Sequence, residues 1–335
     1  MSLLRTLLED EKKIDKSLYS SGPYWNYKNK KTIKEIQKKG ILNFRGLNSG
    51  VGTSFKDNIQ FDTRNELGFR GRILSSIFSF PLIKKIYNNQ LKITKNIIDD
   101  NLKMSSIIYS RNLEVQKIIS KYKFENTTEF DCIRKFNYQQ KEYSSFYIEI
   151  ANRIKNLSLH IDFSKIKSFF EIGGGFGANI HFLLTNFPNI KKIIYLDAVP
   201  NIFVGTEYLK KFFDKNVKDY SVTKKLNKIS FDDNNELEII CIPPWEIEKL
   251  DVKLDHFHNA ASFVEMPKKV IENYCKFIKK FEINQLSLIS YSNFDNSTTF
   301  DPRLLNNFFE NKLEICNYSR VIKDFDIQDI YLYSK

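Results

Sequence analysis

The sequence predicts an α/β protein: a mostly helical N-terminal domain, then a mostly parallel sheet that ends in a C-terminal antiparallel hairpin. Residues 82–172 contain neither glycine nor proline, so no helix breaker interrupts this stretch. From residue 166 onward, short apolar runs end in turn signals and alternate with helical stretches, as is typical of parallel strands buried on both faces. The last two strand-like runs have a connection too short for a crossover helix, which predicts the hairpin.

The helical half is supported by apolar spacing within residues 139–157, which predicts one face of an amphipathic helix. We predict two domains, a helical N-terminal cap or substrate domain at 1–140 and a cofactor-binding domain at 141–335. The helical domain contains one irregular, glycine-containing segment near 40–72. The helical face is predicted to consist of Tyr143, Phe146, Tyr147, Ile150, Ala151 and Ile154.

Composition excludes several classes of protein. The 335 residues include 52 Lys and Arg against 40 Asp and Glu, a net charge of +12 that is spread along the chain. The sequence has no concentrated basic and aromatic strip, so we expect no nucleic-acid partner. It also has no run of eighteen apolar residues, so we expect no membrane span. The four cysteines are far apart and form no CxxC pair, which fits a reducing cytoplasm better than a disulfide scaffold.

The strongest local signal is a glycine turn between a strand and a helix. Four of the twelve glycines lie within residues 173–177, directly after the apolar run that contains Glu171. Glycines let a ligand approach the backbone closely, and the N-terminus of the following helix presents unpaired N–H groups. The next strand ends at Asp197, where a carboxylate can accept hydrogen bonds from both ribose hydroxyls of a nucleoside. We therefore predict a nucleoside-binding site.

The glycines alone leave two classes of nucleoside open. Gly173, Gly175 and Ala178 satisfy the dinucleotide fingerprint, so a nicotinamide-dependent oxidoreductase is the alternative function. Glu171, two residues before the first glycine, suits an amino-bearing or cationic ligand better than a pyrophosphate. The predicted terminal hairpin is also foreign to the simple dinucleotide fold. A non-enzymatic protein with a degenerate pocket is a second rival, which the intact glycines and Asp197 oppose.

These residues resemble a known family. The run E-x-G-G-G-x-G, the acidic end of the next strand and the closing hairpin look like class I S-adenosylmethionine-dependent methyltransferases, with a Rossmann-like sheet, over roughly residues 141–335. Within that superfamily, HNAASFVEM at 258–266 resembles the N-x-x-S-F-x-E-M signature of sugar O-methyltransferases encoded with bacterial surface-polysaccharide genes. The resemblance implies S-adenosylmethionine as cofactor, S-adenosylhomocysteine as product and a free or nucleotide-linked sugar as acceptor.

The resemblance also implies roles for individual residues. Asp197 would hold the ribose hydroxyls, Trp245 would pack near the adenine and Asn259 would lie below the sulfonium. Tyr143 and Tyr147 are candidates to cover the cofactor, although their helical spacing also suits core packing. The implied cofactor-binding set is Glu171, Gly173, Gly175, Gly177, Asp197, Pro244, Trp245 and Asn259.

Methyl transfer to a hydroxyl needs a group that accepts the hydroxyl proton, and the predicted fourth strand of the sheet ends near three candidates. His256 and His258 are two residues apart and would share one face of a strand; His258 lies nearer the strand end and is the preferred histidine. Ser262 and Glu265 fit a helix capping box, but Pro267 would then interrupt the helix. We therefore predict that the helix begins near Met266 and that Glu265 stays in the loop as a catalytic candidate.

Two further hypotheses concern a metal and an anionic acceptor. His256 and His258 with Asp255 or Glu265 could hold Mg²⁺, but hard cations prefer several carboxylates, so no metal is expected. The glycine-containing segment near 40–72 carries four arginines that could cover the site and meet an anionic acceptor. These arginines are Arg45, Arg64, Arg70 and Arg72.

Overall fold

A computed structural model describes residues 2–47, 49–53, 81–291, 301–307, 309, 312–318, 321 and 328–334. The chain forms two compact units. The first, here called the sheet unit, comprises Met1–Lys30, Lys121–Glu125 and Glu149–Lys335. The second, the helical unit, comprises Lys31–Ser120 and Asn126–Ile148. This division differs from the predicted one at residue 140, because the first thirty residues belong to the sheet unit.

The helical segments before the sheet are mostly where the sequence predicts them. None of the helices within the described residues combines the length and apolarity that a bilayer crossing requires. The helices are α1 (Ser2–Glu11), α2 (Lys16–Tyr19), α3 (Pro23–Lys39), α4 (Gly50–Thr53), α5 (Pro81–Arg111), α6 (Leu113–Lys121) and α7 (Ser145–Leu157).

A β-hairpin interrupts the stretch that was predicted to be helical. Strands β1 (Lys135–Tyr138) and β2 (Lys141–Ser144) pair antiparallel, and Phe136 lies opposite Tyr143 with stacked rings 5.8 Å apart. Tyr143 is therefore in a strand, which corrects its predicted place on the helix. The turn residues Gln139 and Gln140 have positive φ values of 48° and 62°, a conformation for which glycine or asparagine is the usual signal. Because neither glycine nor asparagine stands at these two positions, the sequence did not predict the turn.

The sheet unit contains the sheet that the sequence predicts. The strand order is β5-β6-β4-β3-β7-β8-β10-β9. Strands β3 to β8 are parallel, and β10 is antiparallel to both β8 and β9. The strands are β3 (Ser168–Ile172), β4 (Lys192–Leu196), β5 (Val217–Lys218), β6 (Glu238–Ile242), β7 (His256–Ala260), β8 (Gln285–Tyr291), β9 (Lys312–Tyr318) and β10 (Gln328–Ser334).

The path of the chain through the sheet determines where a ligand can bind. From β3 the chain moves outward to β4 and then to the edge strand β5, comes back inward to β6, and crosses to β7 on the other side of β3 before it continues to β8. The direction reverses between β3 and β7, and in open α/β sheets ligands bind at the carboxyl ends of strands at such a point. The connecting helices are α8 (Ala178–Asn186), α9 (Asn201–Phe213), α10 (Tyr220–Thr223) and α11 (Lys268–Lys280).

The N-terminal residues pack within the sheet unit. Leu4 and Leu7 of α1 are almost completely buried, and the Asp10 carboxylate accepts hydrogen bonds from Lys224 Nζ at 2.7 Å and Tyr220 Oη at 3.1 Å. Hydrogen bonds from Lys224, then from Lys13 at 2.9 Å, and from Tyr220 lower the pKa of Asp10 to about 2. The helical periodicity of α1 predicts an apolar face but not the element that covers it.

Candidate functional site

The glycine turn joins β3 to α8 by a tightly packed backbone. Gly173, Gly175 and Gly177 have φ values of 76°, 63° and 84°, a left-handed conformation that glycine adopts without strain. The Gly173 N–H donates to the Leu196 carbonyl at 2.8 Å, which fixes the turn to the end of β4. A Cβ atom on Gly173 would lie 2.1 Å from Ser262 Oγ. The first glycine is therefore required by the loop after β7.

The turn ends at the N-terminus of α8. As at any helix start, the N–H groups of the first helical turn have no intrahelical acceptor. Gly177, which precedes the first helical residue, provides no side-chain cap for them. A Cβ atom on Gly177 would lie 3.0 Å from the Leu209 side chain of α9, so this glycine also allows two helices to approach closely. The N-terminus of α8 and the left-handed turn together form a backbone cradle that suits a polar ligand.

Asp197 lies directly after β4 and connects two strand ends. Its Oδ2 accepts a hydrogen bond from the Gly175 N–H at 2.8 Å, and its Oδ1 accepts one from the Ala198 N–H at 2.7 Å. The side chain is buried, and burial raises the pKa of this carboxyl to about 7, against the lowering effect of these two bonds. Asp197 is thus positioned against the glycine turn, where a hydroxyl-bearing ligand could reach it.

Glu171 lies on the other side of the turn, as the fourth residue of β3. Its Oε1 accepts a hydrogen bond from Asn179 Nδ2 at 2.8 Å. Its Oε2 is buried and has no hydrogen-bond partner among the residues that the structure describes. A Cβ atom on Gly174 would lie 2.6 Å from Oε2, so the carboxylate is packed against the turn. Burial raises the pKa of Glu171 to about 7, and the nearby Arg153 opposes this shift.

Pro244 and Trp245 lie just past β6 in a 3₁₀ turn, Pro244–Lys249. Pro244 is buried, whereas Trp245 is partly exposed. The Trp245 indole donates from Nε1 to Tyr220 Oη at 3.1 Å, and the two rings meet edge to face at 5.8 Å. These contacts fix the orientation of the indole beside the carboxyl end of β6, the strand next to β4.

Asn259, near the end of β7, uses its amide to shape the loop that follows. Its Nδ2 donates to the Ile172 carbonyl and to Ser262 Oγ, both at 2.8 Å. Its Oδ1 accepts from the Phe263 N–H at 3.1 Å. The side chain therefore connects the end of β3 to the loop after β7. A hydrogen bond from this amide to a cofactor would have to replace one of these protein bonds.

The two histidines lie on the same face of β7, as the alternation of side chains along a strand predicts. Ser287 Oγ on β8 lies 2.7 Å from His256 Nε2 and 2.8 Å from His258 Nδ1. Both rings are buried; burial lowers the pKa of His256 to about 3 and, with Arg153, lowers the pKa of His258 well below its usual value. Both are therefore neutral near pH 7. His258 Nε2 is buried without a hydrogen-bond partner within the described part of the chain.

Glu265 lies outside α11, in a 3₁₀ turn at Phe263–Glu265. Helix α11 begins at Lys268, Pro267 directly precedes it, and Ser262 makes no capping bond with its side chain. The helix therefore starts two residues after Met266, where the proline led us to expect it. The Trp25 indole Nε1 donates to Glu265 Oε2 at 2.8 Å. Gly22 packs so closely that an added Cβ would lie 2.9 Å from the Glu265 carbonyl oxygen.

The metal hypothesis finds no geometric support in the described ranges, where no three His, Cys, Asp or Glu side chains are grouped to hold an ion. Asp255 is not directed toward His256 and His258 as a shared ligand. Its Oδ2 accepts hydrogen bonds from the backbone N–H groups of Lys167 and Ser168, at 2.8 and 3.0 Å, in front of β3.

The predicted arginine cover is corrected at Arg45. This guanidinium is completely buried in the helical unit, where Nη1 donates to the Thr127 carbonyl at 2.7 Å and Nη2 donates to Ser144 Oγ at 2.9 Å. An arginine that is buried and hydrogen-bonded to other residues of its own unit in this way is not available to bind an anionic methyl acceptor. Tyr143 and Tyr147 are also buried in the helical unit. The other three arginines, Arg64, Arg70 and Arg72, lie outside the described residues.

Sequence reasoning missed three residues that shape the site. Ser262 packs against Gly173, and Asn179 binds Glu171. Ser262 lies within the quoted HNAASFVEM motif and Asn179 lies two residues past the glycine motif, so position in or beside a motif was a usable signal. Trp25 reaches Glu265 across 240 residues of sequence, and no local pattern could have indicated that contact.

No family model and no curated protein matches this chain. Among solved structures, it is similar to the methyltransferase domain of bacterial CtHen1, with 9% identity and a TM-score of 0.38 over 55% of this chain and 98% of that one. The mitomycin 7-O-methyltransferase MmcR matches with 12% identity and a TM-score of 0.37, over 56% of this chain and 54% of that one. The magnesium protoporphyrin IX methyltransferase ChlM of Synechocystis PCC 6803, with bound SAM, matches with 9% identity and a TM-score of 0.38, over 56% and 77%.

Proposed function

We propose that this chain is an S-adenosylmethionine-dependent O-methyltransferase. The observation that supports it best is the position of Asp197, which follows β4 and binds the Gly175 N–H of the turn after β3. A carboxylate there can accept hydrogen bonds from vicinal ribose hydroxyls while the turn lies beside the rest of the nucleoside. The C-terminal antiparallel hairpin at the sheet edge is the arrangement that the family resemblance implies.

Three features of the site fit the parts of this cofactor. Glu171 Oε2, which has no hydrogen-bond partner among the described residues, is suited to the cofactor ammonium group, because a buried carboxylate gains most from a cationic partner. Asp197 suits the ribose, and the partly exposed Trp245 suits the adenine, on which an aromatic ring can pack. Asn259 keeps the loop after β7 against Gly173 and so acts as a positioning residue.

The cofactor supplies a methyl group that is already activated by a good leaving group. The work of this chain is to orient the acceptor and to accept the hydroxyl proton as the new oxygen–carbon bond forms. Orientation contributes up to about 7–11 kcal/mol and a positioned base about 10²–10⁴-fold in rate. We propose Glu265 as that base, because this carboxyl residue is partly exposed and lies just past β7. His258 is the second candidate, through its Nε2, which lacks a hydrogen-bond partner in the part of the chain that the structure describes.

We further propose a sugar hydroxyl as the acceptor, in the biosynthesis of a bacterial surface polysaccharide in the cytoplasm. The support is the N-x-x-S-F-x-E-M resemblance at 259–266, together with the Trp25 indole beside Glu265. An aromatic ring next to a carboxylate combines an apolar platform with a hydrogen-bond acceptor, and a sugar ring can use both.

A cofactor thermal shift tests the proposal against its rival, nicotinamide-dependent oxidation, which the Gly173, Gly175 and Ala178 spacing allows. S-adenosylhomocysteine is expected to raise the melting temperature, and NAD(P) is not, because a ligand that binds only the folded state stabilises it. The variant Asp197→Ala should lose the shift, whereas Asp251→Ala, at an exposed ion pair with Lys228, should keep it. A shift with NAD(P) alone would transfer the assignment to the oxidoreductases.

A further inference from the structure

Glu171 and His258 lie side by side on one face of the sheet. They occupy paired positions of the parallel strands β3 and β7, and both side chains are almost completely buried. Each has one buried polar atom, Glu171 Oε2 and His258 Nε2, that finds no hydrogen-bond partner in the described part of the sheet unit. Buried polar atoms of this kind are costly to the folded chain unless a ligand pairs with them. The pair therefore marks a place where a polar ligand can bind.

Arg153, on α7, supplies a cation beside this pair. Burial is the main cause of the raised pKa of Glu171 and of the lowered pKa of His258, and the charge of Arg153 lowers both pKa values. The guanidinium therefore lies within electrostatic reach of both groups. Arg153 is half-buried, and its Nε is a buried donor without a hydrogen-bond partner among the residues that the structure describes. Glu171 Oε2 and Arg153 Nε thus do not bond each other, and both can bind a ligand.

The combination of these charges indicates the class of group that fits them. An α-amino acid end carries an ammonium group and a carboxylate on the same carbon atom, so its two partners must be an anionic acceptor and a cationic donor that lie close together. Glu171 suits the ammonium group, and a guanidinium suits a carboxylate because it donates two parallel N–H groups. A pyrophosphate would instead meet the Glu171 carboxylate, which repels it.

We propose that Arg153 binds the carboxylate of the amino-acid end of the cofactor, while Glu171 binds the ammonium group of the same end. This inference rests on the proposed function, and it adds a residue that selects S-adenosylmethionine and its product over adenosine ligands without a carboxylate. Glu171 and Asp197 lie on opposite sides of the glycine turn, so the amino-acid end and the ribose would lie on its two sides. His258 is neutral near pH 7 and adds no charge that competes for the carboxylate.

The charges of the ligand and of the protein balance in this arrangement. The ammonium group faces an anion and the carboxylate faces a cation, so no buried charge lacks an opposite partner. A ligand without the carboxylate loses only the Arg153 contact, whereas a ligand without both groups also loses the Glu171 contact. The contribution of Arg153 can therefore be measured separately from that of Glu171 by removing one ligand group at a time.

Calorimetric titration of the full chain with three ligands tests this assignment. The ligands are S-adenosylhomocysteine, its decarboxylated analogue, which keeps the ammonium group, and 5′-methylthioadenosine, which has neither group. Arg153→Gln should weaken the binding of S-adenosylhomocysteine by about 10- to 100-fold, the range of a charge-assisted hydrogen bond, and should change the other two affinities by less than about twofold. In the wild type, loss of the ligand carboxylate should weaken binding by a similar factor, because it removes the same contact.

The matched control is Lys155→Gln, which removes a cation two residues further along α7, about 200° around the helix. It should bind all three ligands like the wild type. Equal weakening of all three ligands by Arg153→Gln, or unchanged affinity for S-adenosylhomocysteine, would overturn the role of Arg153 and leave the proposed function standing. A wild type that binds S-adenosylhomocysteine and its decarboxylated analogue equally would do the same, without any variant that has to fold. If the wild type binds none of the three, the proposed function fails together with this inference.

Discussion

Glu171 and Asp197 flank one glycine turn, and the same physical cause acts on both. Each carboxyl is buried, and burial raises each pKa to about 7. A buried carboxylate is unfavourable without a partner, so a cationic group near Glu171 and hydroxyl donors near Asp197 would relieve a cost that the folded chain already bears. Two such groups at one turn are a physical signal of a binding site.

Glu265 gives the sharpest test of catalysis at the scale of a residue. With a sugar acceptor that the wild-type chain methylates, Glu265→Gln should lower kcat by about 10²–10⁴-fold, because the hydroxyl proton loses its acceptor. The affinity for S-adenosylhomocysteine should not change. Rates and calorimetric binding should be compared with Glu272→Gln, a control on α11. If His258→Gln removes the activity and Glu265→Gln retains it, the base is the histidine.

The elements show how apolar periodicity can indicate a helix without indicating its partner. Helix α1 buries Leu4 and Leu7 within the sheet unit, although the sequence pattern assigned it to a separate helical domain. Helix α2 packs on α11, where Lys269 Nζ donates to Ser17 Oγ at 3.0 Å. The N-terminal segment then reaches Glu265 through Trp25, so one N-terminal segment supports both the core and the candidate base.

Removing apolar volume from α1 should therefore destabilise the sheet unit. Leu7→Ala is expected to lower the free energy of unfolding by about 2–5 kcal/mol, the range for a buried leucine. Denaturant unfolding followed by the fluorescence of the chain measures it. Arg5→Ala, an exposed neighbour on the same helix, should change stability by less than about 0.5 kcal/mol. Equal losses in the two variants would mean that α1 is not part of this core.

At the scale of the whole molecule, stability should depend on pH through the buried ionisable groups. Glu171 and Asp197 hold protons up to about pH 7 in the folded chain, whereas their ordinary pKa values are 4.5 and 3.8. Between the ordinary pKa values and about pH 7, the folded state binds more protons than the unfolded state. The free energy of unfolding therefore falls as pH rises through this range. The lowered pKa values of His256 and His258 act in the opposite direction below pH 6.5.

A comparison of variants separates these opposing effects. In the ligand-free protein, Glu171→Gln should gain melting temperature relative to the wild type as pH rises from 5 to 8, because the glutamine has no proton to lose. S-adenosylhomocysteine should reduce that difference, since its ammonium group stabilises the ionised Glu171. Thermal unfolding at each pH measures both. A difference that is constant from pH 5 to 8 would show that Glu171 does not titrate in this range.

The sequence by itself determined what neighbouring residues encode: the buried strands, the glycine turn, the acidic residue after β4 and the helix start that leaves Glu265 in a loop. Strand burial, glycine conformation and proline geometry are local properties, so their patterns remain visible in the chain. Only the tertiary structure decided that Ser287 contacts both histidines, that Asn259 uses its amide on β3 and its own loop, and that Trp25 meets Glu265. These contacts join residues far apart in sequence, and their formation depends on the path of the whole chain.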